Sequence, residues 1–369
     1  MKIVFICSCL EPGRDGVGDY TRRLACELIK QGHDLAAISI NDEYIDDTVT
    51  ALQQNEDVEV QVLRLPASQP LTKRLNDAKL YIDKFNPDWL SFQFVIFGYH
   101  PKGLPLWLNK FALLGKGRKV HIMFHELWLG TEINASKKHF LWGKLQRYLI
   151  SSLITKLKPT VIHTHTQLYI QQLSGIGVQS KHLSLFGNIP VMGNKVPKSF
   201  KEDRSINMIL FGHIHPNTPA EKFALEVAEY VKRHQFGSSF TLVGNNGAET
   251  EYWIKQFENS GIKVNVLGEQ SASNVSKAIA NANIGISTTP AALLGKSGSV
   301  AAMREHGLPV ICVPSAWEPT KFVNLVLPKG IMIYKNGNLD EMLNSELNFT
   351  LPISISDIGN QFINAIGNV

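Results

Sequence analysis

Hydrophobic positions along this chain fall into two rhythms that alternate from end to end. Short continuous apolar runs end near Cys7, Ile40, Leu65, Phe94, Phe124 and His165. Between them, apolar residues recur at the spacing of a helix face. The clearest case follows Gly18, with Tyr20, Leu24, Ala25 and Leu28 on one side and a glycine stop at Gln31-Gly32-His33. The second half repeats the pattern, with strands expected at 208–211, 240–243, 264–267, 284–287, 310–313 and 331–333. Helical segments are expected near 221–233, 249–260, 274–280, 299–305 and 339–343. Strands alternating with helices imply parallel sheets covered on both faces. The predicted architecture is α/β: two doubly wound, Rossmann-like domains facing a cleft, with ligands beyond the C-terminal strand ends.

A length of 369 residues exceeds one compact core and agrees with two domains. The first is expected over 1–190. A stretch at 191–205 with one proline, one glycine and mixed charge but no periodicity reads as a linker. The second domain is expected over 206–350. The remaining 351–369 carries Ile358, Phe362, Ile363 and Ile366 at helical spacing.

With 44% apolar and 19% charged residues, the composition is that of a globular chain, not a fibrous or disordered one. No apolar run reaches the roughly 18 residues of a transmembrane helix. The apolar stretch 3–10 runs directly into Glu11-Pro12-Gly13-Arg14-Asp15 and reads as a buried strand rather than a secretion signal. Cys7, Cys9, Cys26 and Cys312 read as core residues, without redox or zinc spacing. The cytoplasm is the expected compartment.

The net charge of +5 is unevenly spread. Residues 101–200 hold 14 Lys and Arg against two acids, Glu126 and Glu132, a net of +12 that leaves −7 for the rest. At 137–149, basic and large apolar residues interleave at helical spacing. This pattern fits a surface helix with one buried face, and also a peripheral contact with an anionic membrane surface or acceptor at the inner face of the membrane. Nucleic acid is not expected, since no recognition motif accompanies the charge.

Five loops at strand ends carry candidate chemistry. In the first, Gly16 and Gly18 precede a helix start that favours an anion, and Asp19 lies in the first turn. Thr21 replaces the third glycine of a dinucleotide fingerprint. The second loop carries His125-Glu126, a candidate donor, base or sugar ligand, and Leu129 excludes a zinc motif. His163 and His165 share one face of the next strand but lack an evident third metal ligand. The third and fourth loops are Gly212-His213-Ile214-His215 and Gly244-Asn245-Asn246-Gly247. The fifth, Gly295-Lys296-Ser297-Gly298-Ser299, offers a lysine, two hydroxyls and backbone N–H groups as a phosphate cradle at a helix start, although Pro290 breaks the P-loop pattern.

Taken in order, these segments resemble the family 4 glycosyltransferases of the GT-B fold. The resemblance rests on the glycine loop with Tyr20-Thr21-Arg22-Arg23-Leu24-Ala25 and Gly32-His33, on Phe211-Gly212-His213-Ile214, on Leu242-Val243-Gly244 and Val266-Leu267-Gly268, and on Ala302-Met303 with Gly307-Leu308-Pro309-Val310-Ile311. It implies a hexosyltransferase-like enzyme moving a sugar from a nucleotide-sugar donor to an acceptor hydroxyl, retaining and metal-independent, since no Asp-x-Asp motif is present. The donor is a co-substrate, and no cofactor is expected. The acceptor is a glycan, lipid-linked or small molecule, as in polysaccharide or glycolipid assembly. The C-terminal domain would bind the nucleotide and the N-terminal domain the acceptor, and the last helix would cross back to the N-terminal domain. His125 would touch the donor sugar or assist the leaving diphosphate, with Asp19 and Glu126 as further catalytic candidates. Gly16 and Gly18 would close over the diphosphate, Gly244 would line the donor site and Gly268 would lie near the base. The family's Glu-x7-Glu pair falls on Leu294 and Ala302, or on Leu293 and Ala301, so both acids are missing. Its diphosphate-binding Arg and Lys fall on His213 and Thr218, and Lys222 or Lys296 would restore the charge. The donor site would then be rebuilt around Lys296, Ser297, Gly298 and Ser299. Two alternatives are a noncatalytic GT-B protein that binds a glycan or a partner, and a GT-B nucleotide-sugar epimerase.

Overall fold

A computed structural model describes residues 1–193, 199–321, 324–345 and 351–368. The strands are β1 (Lys2–Cys7), β2 (Asp34–Asp42), β3 (Val49–Asn55), β4 (Val58–Pro66), β5 (Trp89–Phe94), β6 (Lys119–Phe124), β7 (Val161–Thr164) and β8 (Lys181–His182), then β9 (Ser205–Phe211), β10 (Gly237–Val243), β11 (Lys263–Gly268), β12 (Ile284–Ser287), β13 (Val310–Cys312) and β14 (Ile331–Ile333). They form an eight-stranded sheet ordered β3-β4-β2-β1-β5-β6-β7-β8 and a six-stranded sheet ordered β11-β10-β9-β12-β13-β14. The chain divides into two compact units, Met1–Ser184 with Ile353–Val369, and Leu185–Pro352.

In the first unit, β5 is buried along its whole length, and β1 and β6 are buried except at their first residues. This is why they read as apolar runs, interrupted only by Ser91 and Gln93 in β5 and His121 in β6. The helix Gly16–Lys30 covers one face with Tyr20, Leu24 and Leu28. The last helix, Ile355–Gly367, packs beside it and belongs to the same unit. Phe362 sits edge-on to Phe5 and to the His121 ring, with centroids 5.9 and 5.1 Å away. Gln31 donates to the Ser356 carbonyl at 3.0 Å. A Cβ at Gly359 would stand 2.9 Å from the Gln31 amide, so glycine allows this close helix approach.

Strand β4 is the run expected to end near Leu65, but its antiparallel edge partner β3 has no counterpart in the sequence reading. β3 is half-exposed to exposed throughout, and its Ala51, Leu52, Gln53 and Gln54 lack the apolar run that marks a buried strand. The turn passes through Glu56 at φ 52°, and Arg23 and Lys30 hold its carboxylate at 3.1 and 3.0 Å. All other strand pairs are parallel, whereas β3 and β4 are antiparallel.

The second unit is built on a core in which the Phe240 ring stacks on Phe257 at 4.2 Å and Trp253 donates to Thr218 at 3.0 Å. Within the stretch read as a linker, 194–198 lie outside the described residues. Its end is regular structure: a short helix Phe200–Asp203, with Phe200 buried, leads into β9. One buried aromatic in a polar stretch carries no periodicity, so sequence alone misses this turn. Strand order reverses between β1 and β5 in one sheet and between β9 and β12 in the other. Such switch points leave crevices at the C-terminal strand ends.

If the last helix seals the first sheet, Phe362→Ala should lower the unfolding free energy of that unit by about 3–5 kcal/mol. Urea unfolding followed by hydrogen exchange at β1 and β6 reads this, and unchanged protection there would reject it.

Candidate functional site

The second unit gathers its candidate residues at the β9/β12 switch point. Gly212 turns the chain at φ 91°, and its N–H donates to the Val243 carbonyl at 2.9 Å. Asn246 ties this loop to the next: its amide donates to the Gly212 and Val243 carbonyls at 2.7 and 3.3 Å. Its own carbonyl accepts from the Ile214 N–H at 3.0 Å. Gly244, at φ 89°, donates to Gly268, itself at φ 64°, at 2.8 Å. Gly247 leaves room for the His213 ring, which a Cβ there would meet at 2.5 Å. Thr288, just past β12, accepts from the His215 N–H at 2.8 Å and donates to the His213 carbonyl at 3.3 Å.

Beside these turns begins the helix Gly298–Glu305, capped by Ser297, whose oxygen accepts from the Val300 N–H. A chain of hydroxyls runs to it: Ser287 to Thr289 at 3.1 Å, Thr289 to Ser297 at 3.3 Å, and Ser297 to Ser299 at 3.2 Å. A Cβ on Gly212 would lie 3.6 Å from the Ser299 Cβ, so the glycine turn faces the helix start. Lys296 immediately precedes the cap, half-buried, and its charge is felt at His215. The structure thus brings Gly212, His213, Gly244, Ser297, Gly298 and Ser299 to one end of the sheet. The arrangement offers hydroxyls, backbone N–H groups, a positive helix end and a lysine, which together suit an anion such as a diphosphate. Lys222 is exposed in the first turn of the helix Ala220–His234, and the hydroxyl chain runs without it.

Leu294 and Ala302 are buried in the apolar core. The carboxylate on this helix is Glu305, and its Oε1 accepts from the Gly187 N–H at 2.7 Å. A Cβ on Gly187 would lie 2.6 Å from the Ala302 backbone, so glycine at one position and alanine at the other permit that approach.

The first unit's candidates lie at the β1/β5 switch point. Asp15 caps the helix Gly16–Lys30, accepting from Val17 at 2.9 Å and from the Ser8 hydroxyl at 3.1 Å. Burial raises the Asp15 carboxyl, opposed by those bonds. Gly18 is fixed by packing, since a Cβ there would meet the Cys9 carbonyl at 2.4 Å. Asp19 braces the loop, accepting from the Gly13 N–H at 3.0 Å and pairing with Arg22.

His125, at the end of β6, is buried, and Glu126 beside it is half-buried. The His125 Nε2 lies 3.0 Å from Gln93 Oε1, and its Nδ1 lies 3.0 Å from His165 Nε2. Tyr20 packs edge-on to both rings. His163 and His165 do share a face, yet the rings bond to other side chains: His163 Nδ1 lies 3.0 Å from His121 Nε2. Among the described residues no group of three His, Cys, Asp or Glu side chains converges as a metal site.

Sequence reading missed Ser91, Gln93, His121, Thr288 and Thr289. One signal was present: Ser91 and Gln93 are alternate polar residues inside the apolar run Trp89–Phe94, placing both on one face.

No protein-family model matches the chain, and no curated protein matches it. Solved structures do. Anabaena Alr3699/HepE in complex with UDP and glucose is 14% identical with a TM-score of 0.61, each chain covered over 100% of its length. The apo lipopolysaccharide outer core galactosyltransferase WaaB is 14% identical with a TM-score of 0.56, covering 100% of this chain and 99% of that one. UDP-GlcNAc 2-epimerase from Neisseria meningitidis, bound to UDP-GlcNAc, is 12% identical with a TM-score of 0.54 and covers 100% of each chain. The chain has the GT-B fold.

Burial, then His213 and Lys296, lower the His215 imidazole from 6.5 to about 4. Between those values the unfolded chain binds the proton that the folded one refuses, so stability rises with pH there. His215 therefore stabilises fully above about pH 6.5 and loses this contribution as pH falls toward 4. Urea midpoints of the second unit should fall over that range, less steeply in His215→Asn; equal slopes would refute the assignment.

Proposed function

We propose that this chain is a glycosyltransferase, hexosyltransferase-like, moving a sugar from a nucleotide-sugar donor to an acceptor hydroxyl. The observation that carries this reading is the hydroxyl-lined start of the helix Gly298–Glu305, flanked by Lys296 and by the glycine turn at Gly212. Transfer from a nucleotide sugar releases a diphosphate. The protein's task is to stabilise that growing charge and to orient the acceptor. Lys296, Ser297, Ser299 and the backbone at Gly298 take the diphosphate, and Lys222 adds charge from the neighbouring helix. His213 and the Gly244 turn line the donor, and the Gly268 backbone faces the base.

In the first unit, His125 contacts the donor sugar or assists the leaving group. The Gly16–Gly18 turn supplies backbone N–H groups at a helix start. Asp19 keeps that turn in shape, and Glu126 is the alternative base. Transfer proceeds with retention, by front-face attack within an ion-pair-like state, and without a metal, since lysine and helix dipole supply the positive charge. No cofactor beyond the nucleotide-sugar co-substrate is invoked.

The acceptor is proposed to be a lipid-linked or other anionic glycan, in polysaccharide or glycolipid assembly. The protein would work in the cytoplasm, peripherally at the inner membrane face. Support comes from the helix Lys137–Leu157. One side buries Leu149, Ile150 and Leu153, while Phe140, Leu141 and Tyr148 are 49, 63 and 66% exposed. Lys144 and Lys138 lie 4.6 Å from the rings of Phe140 and Trp142. Exposed aromatic and aliphatic groups among lysines match an anionic lipid surface. No helix among the described residues is long and apolar enough to cross a membrane.

A thermal-shift screen of nucleoside diphosphates and their sugars, run in excess chelator, tests the donor site. A nucleotide at a hundred times its Kd should stabilise the fold by about 2.7 kcal/mol. Lys296→Ala should lose most of that shift. If no nucleotide stabilises the protein, the noncatalytic reading replaces this one; donor consumed without acceptor and converted to its epimer would instead establish the epimerase. Vesicles of phosphatidylglycerol and phosphatidylcholine should retain the protein at low salt, and Lys138→Glu with Lys144→Glu should release it. Equal recovery in the supernatant with and without anionic lipid would remove the membrane from the proposal.

A further inference from the structure

A continuous chain of hydrogen bonds runs through the interior of the first unit, across three strands. His165 Nδ1 lies 2.9 Å from the Leu183 carbonyl, and His165 Nε2 lies 3.0 Å from His125 Nδ1. His125 Nε2 lies 3.0 Å from Gln93 Oε1, and the Gln93 amide donates to Ser91 Oγ at 2.8 Å. Ser91 Oγ lies 2.7 Å from His121 Nδ1, and His121 Nε2 lies 3.0 Å from His163 Nδ1. All six side chains are buried, none more than 8% exposed.

The proton count along this chain follows from the orientation of the Gln93 amide, with Oε1 toward His125 and the NH2 toward Ser91. A carbonyl oxygen only accepts, so His165 Nδ1 must carry a proton to bond Leu183. Gln93 Oε1 also only accepts, so His125 Nε2 must carry one as well. The two inner nitrogens, 3.0 Å apart, need a third proton between them. Two neutral imidazoles hold two protons, and three make one imidazolium. On the far side, the Gln93 NH2 occupies one lone pair of Ser91, whose own proton then goes to His121 Nδ1. His121 accordingly donates from Nε2 to His163. Burial lowers both of these rings, His121 far below the usual range and His163 to about 4, so the far half of the chain stays neutral.

We infer that His125 and His165 share one imidazolium at the C-terminal end of β6, and that Ser91, His121 and His163 are positioning residues that hold it there through the amide orientation of Gln93. Turning the amide reverses the chain. The NH2 then donates to His125 Nε2, Ser91 donates to Gln93 Oε1, His121 donates from Nδ1, His163 shifts its proton to Nδ1 and donates to His121 Nε2, and the shared proton leaves to solvent. One rotation therefore couples loss of one proton to a change of tautomer at His121, on the neighbouring residues of the sheet. Tyr20 on the helix Gly16–Lys30 and Lys181 and His182 on β8 face this chain from adjoining elements, and the uncharged Phe362 packs on His121 from the last helix. Burial keeps the Tyr20 phenol protonated, and burial, then Lys181, disfavours charge on His163. A cation held there would favour an anionic ligand, and only this last step rests on the transferase reading.

Nitrogen-15 histidine NMR on the full-length protein tests the proposal without any substrate, so its outcome is separate from that of the nucleotide screen. Near neutral pH, the His125–His165 pair should show three N–H protons, and His121 should be protonated at Nε2. Ser91→Ala frees the amide to turn, so the midpoint of the pair should fall by about one pH unit. Gln93→Glu keeps an acceptor toward His125 and turns a second one toward Ser91. Its midpoint should rise, and the His121 proton should move from Nε2 to Nδ1. Both variants are close in size to the native residue, and retention of the amide spectrum confirms their folds. Two neutral rings at the pair with His121 protonated at Nδ1 in the native protein would overturn the inference. So would midpoints that move in the same direction in both variants.

Discussion

Apart from the antiparallel β3 edge, both sheets are built from parallel strands packed against helices, and that burial constrains everything else. A strand hidden on both faces has no side chain left for solvent. Chemistry is pushed to the turns at the C-terminal ends. The crossovers leave room there at two places, between β1 and β5 and between β9 and β12, where strand order reverses. Gly16, Gly18 and Asp19 follow β1 and Gly212 and His213 follow β9 at these reversals, while His125, Gly244 and Gly268 lie at the ends of the adjoining strands β6, β10 and β11. Glycine appears where backbones must meet: Gly18 against the Cys9 carbonyl and Gly187 against Ala302.

Turns at a sheet end must be held in shape without a sheet's own hydrogen bonds. In the second unit Asn246 does this with one side chain, tying the Gly212 turn to the end of β10. In the first, Asp42 does it with charge. Arg64 grips its two oxygens at 2.8 and 3.0 Å and reaches Glu11 at 2.6 Å. Asp42 also accepts from the Leu10 N–H at 3.2 Å. Burial alone would raise the Asp42 carboxyl, but Arg64 and these N–H bonds hold it below its ordinary value. Truncating either partner of a buried pair leaves the other uncompensated, so this network fixes the loop after β1.

The two units meet the cost of buried polarity in different ways. Around Ser297 the polar atoms are hydroxyls, which rotate to suit a neighbour and add no charge. Around His125 they are imidazoles and one amide. Each of these presents a fixed donor and acceptor pattern, so every hydrogen bond limits the next. A hydroxyl network adapts to what binds, whereas an imidazole chain fixes a proton count.

Sequence alone determined the parallel α/β layout, because period-two and period-3.6 patterns need only neighbours along the chain. It also marked the turns at Gly212, Gly244 and Ser297, since glycine and serine at strand-to-helix joins have local causes. The edge strand β3, which pairs with β4, was not legible: a strand exposed or half-exposed along its length lacks an apolar run. Nor was the contact of Glu305 with Gly187, 118 residues apart in sequence. The histidine chain shows the limit most plainly. Ser91, Gln93, His121, His125, His163 and His165 lie on three strands and become one network only when those strands pair in register. Periodicity can place each residue on a face of its own strand. Which atoms then meet at hydrogen-bond distance depends on the register and on helix packing above the sheet, and these are settled only by the folded chain.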